Sequence, residues 1–166
     1  MKDIVIRKAR IKDIDEIKRI SLDNHKYHYE RWPEKFIHPK KYMGDMFVPK
    51  SKRIKKLIKS KKKILIVACI SQNIVGILTA EIRKQKIPFQ NKIFGYICTL
   101  YVIEEQRKNG IGTALCNEAK RYFDKKGIEE IRLTVFGYNN PAIKMYVKLG
   151  FTNLMSKMTN QPYTIK

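Results

Sequence analysis

The chain has 166 residues, of which 43% are apolar, enough for a single domain spanning residues 1–166 with a continuous core. Its apolar runs are much shorter than a membrane span, and its N-terminal segment lacks the apolar block of a signal peptide. The three cysteines show no metal-ligand spacing. We therefore expect a reduced, cytoplasmic protein without a metal site or a membrane partner.

The charge of the chain is strongly positive. It holds 36 Lys and Arg residues against 15 Asp and Glu, a formal net charge of +21. Such a balance favours anionic partners, which include nucleic acid, a membrane surface and a phosphorylated ligand. A general bias toward lysine and isoleucine explains it equally well. The densest run, "KRIKKLIKSKKK" (residues 52–63), is interpreted as a solvated helix face followed by a loop.

The first third of the chain predicts a strand and then helices. "IVIRKA" (residues 4–9) alternates apolar and polar residues, as a strand does. Asp13, with Glu16 three residues later, resembles a capping box that opens a helix. Residues 24–49 are rich in aromatic residues and interrupted by prolines, which is typical of an irregular, partly helical loop. A short basic helix is expected at residues 54–58.

The rest of the chain predicts strands and helices in turn. "ILIVACI" (64–70) and "NIVGILTAEI" (73–82) indicate a hairpin, and "IFGYICTLYVI" (93–103) a longer strand. An amphipathic helix then ends at Gly127, and "EIRLTVF" (130–136) is a strand. In "NNPAIKMYVKLGF" (139–151), Asn140 is expected to cap a helix, Pro141 to occupy its first position and Gly150 to follow its end. With "TNLMSKM" (152–158) as a last strand, the fold is mixed α/β.

The stretch "EEQRKNGIGTA" (104–114) places two glycines at the predicted strand-to-helix junction. The first N–H groups of a helix lack partners inside the helix and suit an anion, which glycine allows to approach closely. The spacing matches neither a P-loop nor a dinucleotide loop, because Leu115 stands where the latter has its third glycine. From its spacing alone, the stretch is compatible with two interpretations, a binding site for a diphosphate ligand and a plain turn that enters a helix.

A longer stretch around these glycines, "YVIEEQRKNGIGTAL", closely resembles the acyl-coenzyme A loop of the GNAT family of N-acetyltransferases. The loop pattern of that family is met by Arg107, Gly110 and Gly112. "NNPAIKMYVKLGF" is similar to the second signature of the family, NxxAxxxYxxxGF, for which we take Asn140, Ile143, Tyr146, Gly150 and Phe151. The resemblance covers about residues 93–158. It implies a mixed, mostly antiparallel sheet that is splayed where the coenzyme binds.

The resemblance also implies roles for individual residues. The loop amides would bind the pyrophosphate of acetyl-coenzyme A, the co-substrate, and the end of the preceding strand would pair with its pantetheine arm. The amide of Leu100 would polarise the thioester carbonyl, Asn140 would contact the pantetheine, and Tyr146 would be the general acid for the departing thiolate. The residues expected to bind the coenzyme are Leu100, Tyr101, Val102, Arg107, Lys108, Asn109, Gly110, Ile111, Gly112, Thr113, Asn140 and Tyr146.

Two of these expectations have a simpler alternative. Tyr146 lies on a predicted helix with apolar neighbours, and without the motif it would be interpreted as a core aromatic. Cys98, close to the expected thioester, raises the question of a covalent intermediate. No histidine is placed in sequence to activate it, so it is interpreted as a buried small hydrophobic residue. Direct attack of a neutral amine needs no such intermediate.

The general base is the least determined part. Some relatives carry a glutamate at the position of Tyr96, so this chain departs from that pattern. Glu81 is one candidate, and a water chain or an acceptor that arrives deprotonated are the others. The region that often lines the acceptor pocket in relatives contains His25, His28, Glu30 and Trp32.

The sequence thus predicts an N-acetyltransferase that uses acetyl-coenzyme A and an amine acceptor, either a small molecule or a protein amine. Nucleic acid is not expected as a partner, and a homodimer is compatible with the prediction. The alternative is a basic nucleic-acid-binding module that keeps the fold without turnover, although no stacked-aromatic RNA signature or helix-turn-helix pattern favours it.

Overall fold

The computed structural model describes residues 3–31, 49–87 and 90–156. The strands are β1 Ile4–Lys8, β2 Lys63–Ile70, β3 Asn73–Ile87, β4 Gln90–Val102 and β5 Ile131–Leu133. The α-helices are α1 Ile14–Glu30, α2 Ser51–Ile58, α3 Ile111–Asp124 and α4 Asn140–Lys148. Short 3-10 turns cover Ile11–Asp13 and Glu104–Gln106.

The five strands form one sheet in the order β1-β2-β3-β4-β5. The pairs β1–β2, β2–β3 and β3–β4 are antiparallel, whereas β4 and β5 are parallel. The predicted mixed, mostly antiparallel sheet is therefore confirmed. The parallel pair is short, because it covers only residues 95–97 of β4 and 131–133 of β5.

Helices cover both faces of the sheet, which explains why β2 is a continuous apolar run. Ile64 and Ile66 of β2 pack with residues of α3 and α4, such as Phe123. Leu65 and Val67 point the other way, into a second core with α1 and α2. Alternate residues of one buried strand thus join two cores.

The start of α1 corrects the predicted capping box. The helix does begin directly after Asp13, but that carboxylate does not cap it. It accepts hydrogen bonds from Arg7 at 2.6 and 2.9 Å and from the amide of Arg10 at 2.6 Å. Glu16 instead pairs with Arg19. The buried Asp13 carboxylate thus pairs with a half-buried guanidinium instead of capping α1.

Several predicted boundaries also shift. The helix α1 continues to Glu30, so the irregular segment expected from residue 24 begins later, and residues 32–48 lie outside the described chain. The basic run forms α2 and a turn, as predicted. The strand predicted over residues 130–136 is shorter. Residues 152–156 of the expected last strand have no regular structure, and 157–158 are outside the described part. Among the described helices, none is long and apolar enough to cross a bilayer.

Candidate active site

The sheet opens between β4 and β5. Their pairing stops at Ile97 and Leu133, while β4 continues to Val102 along β3. A β-bulge marks the point of separation: Ile97 lies opposite Ala80 and Thr99 opposite Thr79, so that Cys98 is the extra residue on β4. The last five residues of β4, 98–102, therefore have no partner strand on the β5 side among the described residues.

The amide of Leu100 points into this opening. The amide of Ile103 donates to the carbonyl of Val75 in the β3 direction. Because successive residues of a strand direct their N–H and C=O groups to opposite sides, Val102 and Leu100 direct theirs away from β3. Leu100 thus presents a donor and an acceptor on an open strand edge, which an extended polar chain can pair with.

Next to this edge, the loop before α3 presents a row of amides. The amide of Ala114 bonds to the carbonyl of Gly110 at 3.0 Å, but the amides of residues 108–113 have no backbone acceptor within the described chain. These amides precede or begin α3, a helix of 14 residues, whose N-terminal end carries a partial positive charge. Unpaired amides at a helix N-terminus suit a phosphate group.

The two glycines of the loop serve different purposes. Gly110 has φ +76°, and a Cβ there would meet nothing within 4 Å. Its left-handed backbone suits glycine, and the space beside it is open. At Gly112, a Cβ would lie 2.9 Å from Sδ of Met145 on α4. Gly112 therefore allows close packing of α3 and α4, a role that the spacing of the motif did not reveal.

Arg107 turns inward. Its Nε donates to the carbonyl of Val102 at 3.0 Å, and its guanidinium lies 4.1 Å from the ring centroid of Tyr27 on α1. Its Nη1 is also 3.6 Å from Glu104. The guanidinium joins the loop to β4 and α1 here, instead of standing at the rim as a separate charge for a phosphate.

We expect Arg107→Ala to lower the free energy of unfolding by about 1–2 kcal/mol, because the half-buried Val102 carbonyl loses its donor and the Tyr27 ring loses its cation. Lys120→Ala is the control at an exposed residue of α3, where surface substitutions change stability by about 0.5 kcal/mol or less. Urea unfolding of both variants measures this. Equal stability of Arg107→Ala and the native protein would show that the inward contacts contribute nothing.

Tyr146 lies on α4 and is 9% exposed. Its ring packs edge-on against Phe151 at 5.7 Å between centroids. Burial, together with the neighbouring Cys116, raises the pKa of the Tyr146 phenol, so the hydroxyl keeps its proton at neutral pH. Gly150, with φ +87°, ends the helix as predicted.

The asparagine that caps α4 is Asn139. Its Oδ1 accepts from the amide of Ala142 at 3.4 Å, so the prediction that Asn140 caps this helix is wrong. The motif spacing supports the correction, since Asn139, Ala142 and Tyr146 fit NxxAxxxY without an offset. Asn140 is instead the first helical residue, Pro141 the second, and the Asn140 side chain is exposed.

Glu81 is held by two cations. Its carboxylate lies 2.6 Å from Nζ of Lys63 and 2.8 Å from Nε of Arg83. The hydrogen bond from Lys63 is the main cause that holds the pKa of Glu81 below its usual range. A carboxylate stabilised in this way is a weak proton acceptor.

Tyr96 and Cys98 lie where β4 and β5 separate. The hydroxyl groups of Tyr96 and Thr134 are 2.6 Å apart and join the two strands, and the guanidinium of Arg83 lies 3.5 Å from the Tyr96 ring centroid. Cys98 is exposed, which corrects the expectation of a buried residue. Its Sγ lies 3.7 Å from the carbonyl of Tyr96.

The C-terminal end of α1 approaches the same opening. Nδ1 of His28 lies 3.4 Å from the hydroxyl of Tyr138, although the two residues are 110 positions apart in the chain. Glu30 forms ion pairs with Lys26 and Arg31, and Trp32 lies outside the described residues. Sequence reasoning had placed His28 near the acceptor but had no signal for its contact with Tyr138.

An open strand edge beside unpaired amides at a helix N-terminus defines a site for a ligand with an extended polar arm and a phosphate group. The model of the Acetyltransferase (GNAT) family matches residues 19–151, which contain all of these features. The chain belongs to this family, and the resemblance stated above is confirmed.

Individual relatives agree with this assignment. The L-amino acid N-acetyltransferase AaaT of Escherichia coli (strain K12) is 32% identical over 159 residues, which are 91% of this chain and 84% of that protein. An N-alpha-acetyltransferase of Sulfurisphaera tokodaii is 30% identical over 162 residues, 90% of this chain and 81% of that protein. A structure of a tetramutant of the BH1408 protein from Bacillus halodurans matches with a TM-score of 0.75 at 22% identity, covering 93% and 97% of the two chains. That last likeness concerns the fold.

Proposed function

We propose that this GNAT-family N-acetyltransferase transfers the acetyl group of acetyl-coenzyme A directly to a primary amine. The observation that carries the proposal is the Leu100 amide on an open strand edge, next to the unpaired amides of residues 108–113. The loop amides would bind the pyrophosphate, and the edge of β4 would pair with the pantetheine arm. The alternative of a nucleic-acid-binding module is not favoured, because the family and both relatives are acetyltransferases.

In this arrangement the residues divide the work as follows. The Leu100 amide would stabilise the oxyanion that forms on the thioester carbonyl. Tyr146, which keeps its proton, would donate a hydrogen bond to the departing sulfur. Val102 also directs its backbone groups to this edge, although its carbonyl already accepts from Arg107. The backbone groups of Tyr101 face β3 instead. The asparagines that begin α4 would contact the pantetheine. Glu81, held by its ion pairs, is a weaker candidate for the base than the sequence alone indicated.

We propose an α-amine as the acceptor. By their names, one relative acts on L-amino acids and the other on N-alpha amines, and the two classes share a primary amine on the carbon next to a carbonyl group. An acceptor screen that follows thiol release tests this. Free amino acids and peptides with a free N-terminus should be acetylated, and the same peptides with a blocked N-terminus and a free lysine should not. Preference for the lysine side chain would contradict the α-amine assignment.

Cys98→Ala is expected to keep most of the transfer activity. Although the residue is exposed at the opening, protein atoms around Sγ partly desolvate the thiol and, together with the Glu81 carboxylate, raise its pKa. Little of the nucleophilic thiolate is therefore present at neutral pH. The native protein should show no acetyl adduct by intact mass spectrometry after incubation with acetyl-coenzyme A alone. A stoichiometric adduct that disappears in Cys98→Ala would establish a covalent intermediate instead.

A further inference from the structure

The two walls of the opening are bridged by neighbouring residues of α1. One wall is the end of β4, where the ring of Tyr101 meets the ring of Tyr27 at 6.1 Å between centroids. The other is the segment after β5, where the hydroxyl of Tyr138 lies 3.4 Å from Nδ1 of His28. Tyr101 directly follows Leu100 in β4. On the α1 side of the sheet, His28 therefore lies next to the residue that packs on Tyr101.

The surroundings of His28 keep its imidazole neutral. Its ring is half-buried and packs against Tyr27 at 5.4 Å and Phe136 at 5.8 Å. Among the described residues, the charged and titratable groups that face it come from α1, the 104–107 turn and the segment after β5. They are His25, Tyr27, Arg31, Arg107 and the Tyr138 hydroxyl. Burial, followed by the electrostatic influence of Arg107, His25 and Arg31, lowers the pKa of His28 below its ordinary value of 6.5.

We propose that His28 is the general base of the transfer, with Nδ1 paired to the Tyr138 hydroxyl and Nε2 directed to the acceptor amine. This assignment rests on the proposed function and names a group that accepts the amine proton. Contacts of this kind are often long without substrate and shorten in the reacting complex. The Tyr138 hydroxyl would fix the tautomer and ring orientation, as second partners of catalytic imidazoles do.

The proton balance of the step is complete with these groups. The amine nitrogen forms the new C–N bond at the thioester carbon, and its extra proton passes to Nε2 of His28. The C–S bond then breaks, and the Tyr146 hydroxyl gives its proton to the departing sulfur. The proton on His28 is released to solvent and the Tyr146 phenolate takes one up, which restores both groups. The products are the N-acetylated amine and the free thiol of coenzyme A. No oxidant, reductant or metal is required.

The experiment is a pH–rate profile of kcat at saturating acetyl-coenzyme A and acceptor. In the native protein, kcat should rise with pH to a plateau, with its midpoint below pH 6.5, because protonated His28 cannot accept a proton. His28→Gln should lower the plateau value of kcat by about 10²-fold, the lower end of the range for general base catalysis. It should also remove the rise of kcat with pH. Lys26→Gln, a substitution of an exposed residue on the same helix, should keep both the plateau value and the rise of kcat with pH.

Two further measurements separate a base from a structural residue. Imidazole added to His28→Ala should restore part of the activity, which a packing role does not predict. In the native protein, the midpoint of the NMR titration of the His28 ring should equal the midpoint of the pH–rate profile. This comparison uses the native protein alone, so it does not depend on the folding of the variants. The assignment is overturned if kcat of His28→Gln rises with pH as in the native protein. It is also overturned if the NMR midpoint of His28 differs from the midpoint of the pH–rate profile. Native protein that releases no thiol with any amine would instead refute the proposed function.

Discussion

Tyr146→Phe is expected to lower kcat by at least about tenfold. The change removes one oxygen and keeps the ring, so the contact with Phe151 is retained. The thiolate would then leave without its hydrogen-bond donor, and general acid catalysis contributes typically about 10²–10⁴-fold, of which water replaces a part. Because burial raises the pKa of Tyr146, its hydroxyl is protonated throughout the neutral range. The loss should therefore be the same from pH 6 to pH 9, which lie roughly four units and one unit below the pKa of an unperturbed phenol.

The matched control is Tyr122→Phe. This tyrosine lies on α3, and its hydroxyl donates to the carbonyl of Lys61 at 3.2 Å. The change therefore removes a hydrogen-bonded phenolic hydroxyl at a residue outside the opening. Both variants should bind acetyl-coenzyme A and melt close to the native protein. Full activity in Tyr146→Phe would make this residue a core aromatic with no part in the transfer.

Gly110→Val is expected to weaken the binding of acetyl-coenzyme A by at least about tenfold, since the lost contacts are hydrogen bonds to a charged group worth about 1.5–3 kcal/mol each. The added side chain would enter the open space beside the loop amides. Valine is also strained at φ +76°. The effect on binding must therefore be separated from an effect on the fold.

Gly127→Val provides that separation. Gly127 has φ +65°, and a Cβ there also meets nothing within 4 Å, so the strain is comparable. It follows the C-terminal end of α3, far along the helix from the loop. Calorimetry should give near-native affinity for Gly127→Val and weakened affinity for Gly110→Val. Equal affinity in the two variants would mean that the loop does not bind the pyrophosphate.

Much of the fold follows from local patterns in the chain. The apolar run of β2 and the period of α3 reflect burial, and the loop motif predicts a strand-to-helix junction because its glycine adopts a left-handed backbone. The two signatures also identify the family. The element boundaries follow less from local patterns. α1 continues past residue 24 because its later turns pack Tyr27 against Tyr101 of β4 and His28 against Tyr138 after β5, and no local pattern indicates such contacts.

The side-chain directions at the site were less predictable. Arg107 has the charge of a phosphate ligand, but a free carbonyl and an aromatic ring lie within its reach, and both are brought there by folding. Asn139 and Asn140 are neighbours of the same type, and only the helix start distinguishes the cap. Glu81 has the chemistry of a base, but Lys63 and Arg83 neutralise it from adjacent positions of the sheet.

The most direct test of the central claim is amide NMR of the native protein during titration with acetyl-coenzyme A. The amide signals of Leu100 and of residues 108–113 should shift most strongly, because these donors would bind the thioester carbonyl and the pyrophosphate. Coenzyme A without the acetyl group should shift the loop amides equally and Leu100 much less. Shifts confined to other parts of the sheet, or a saturating titration that leaves Leu100 and the loop unchanged, would contradict this assignment of the site.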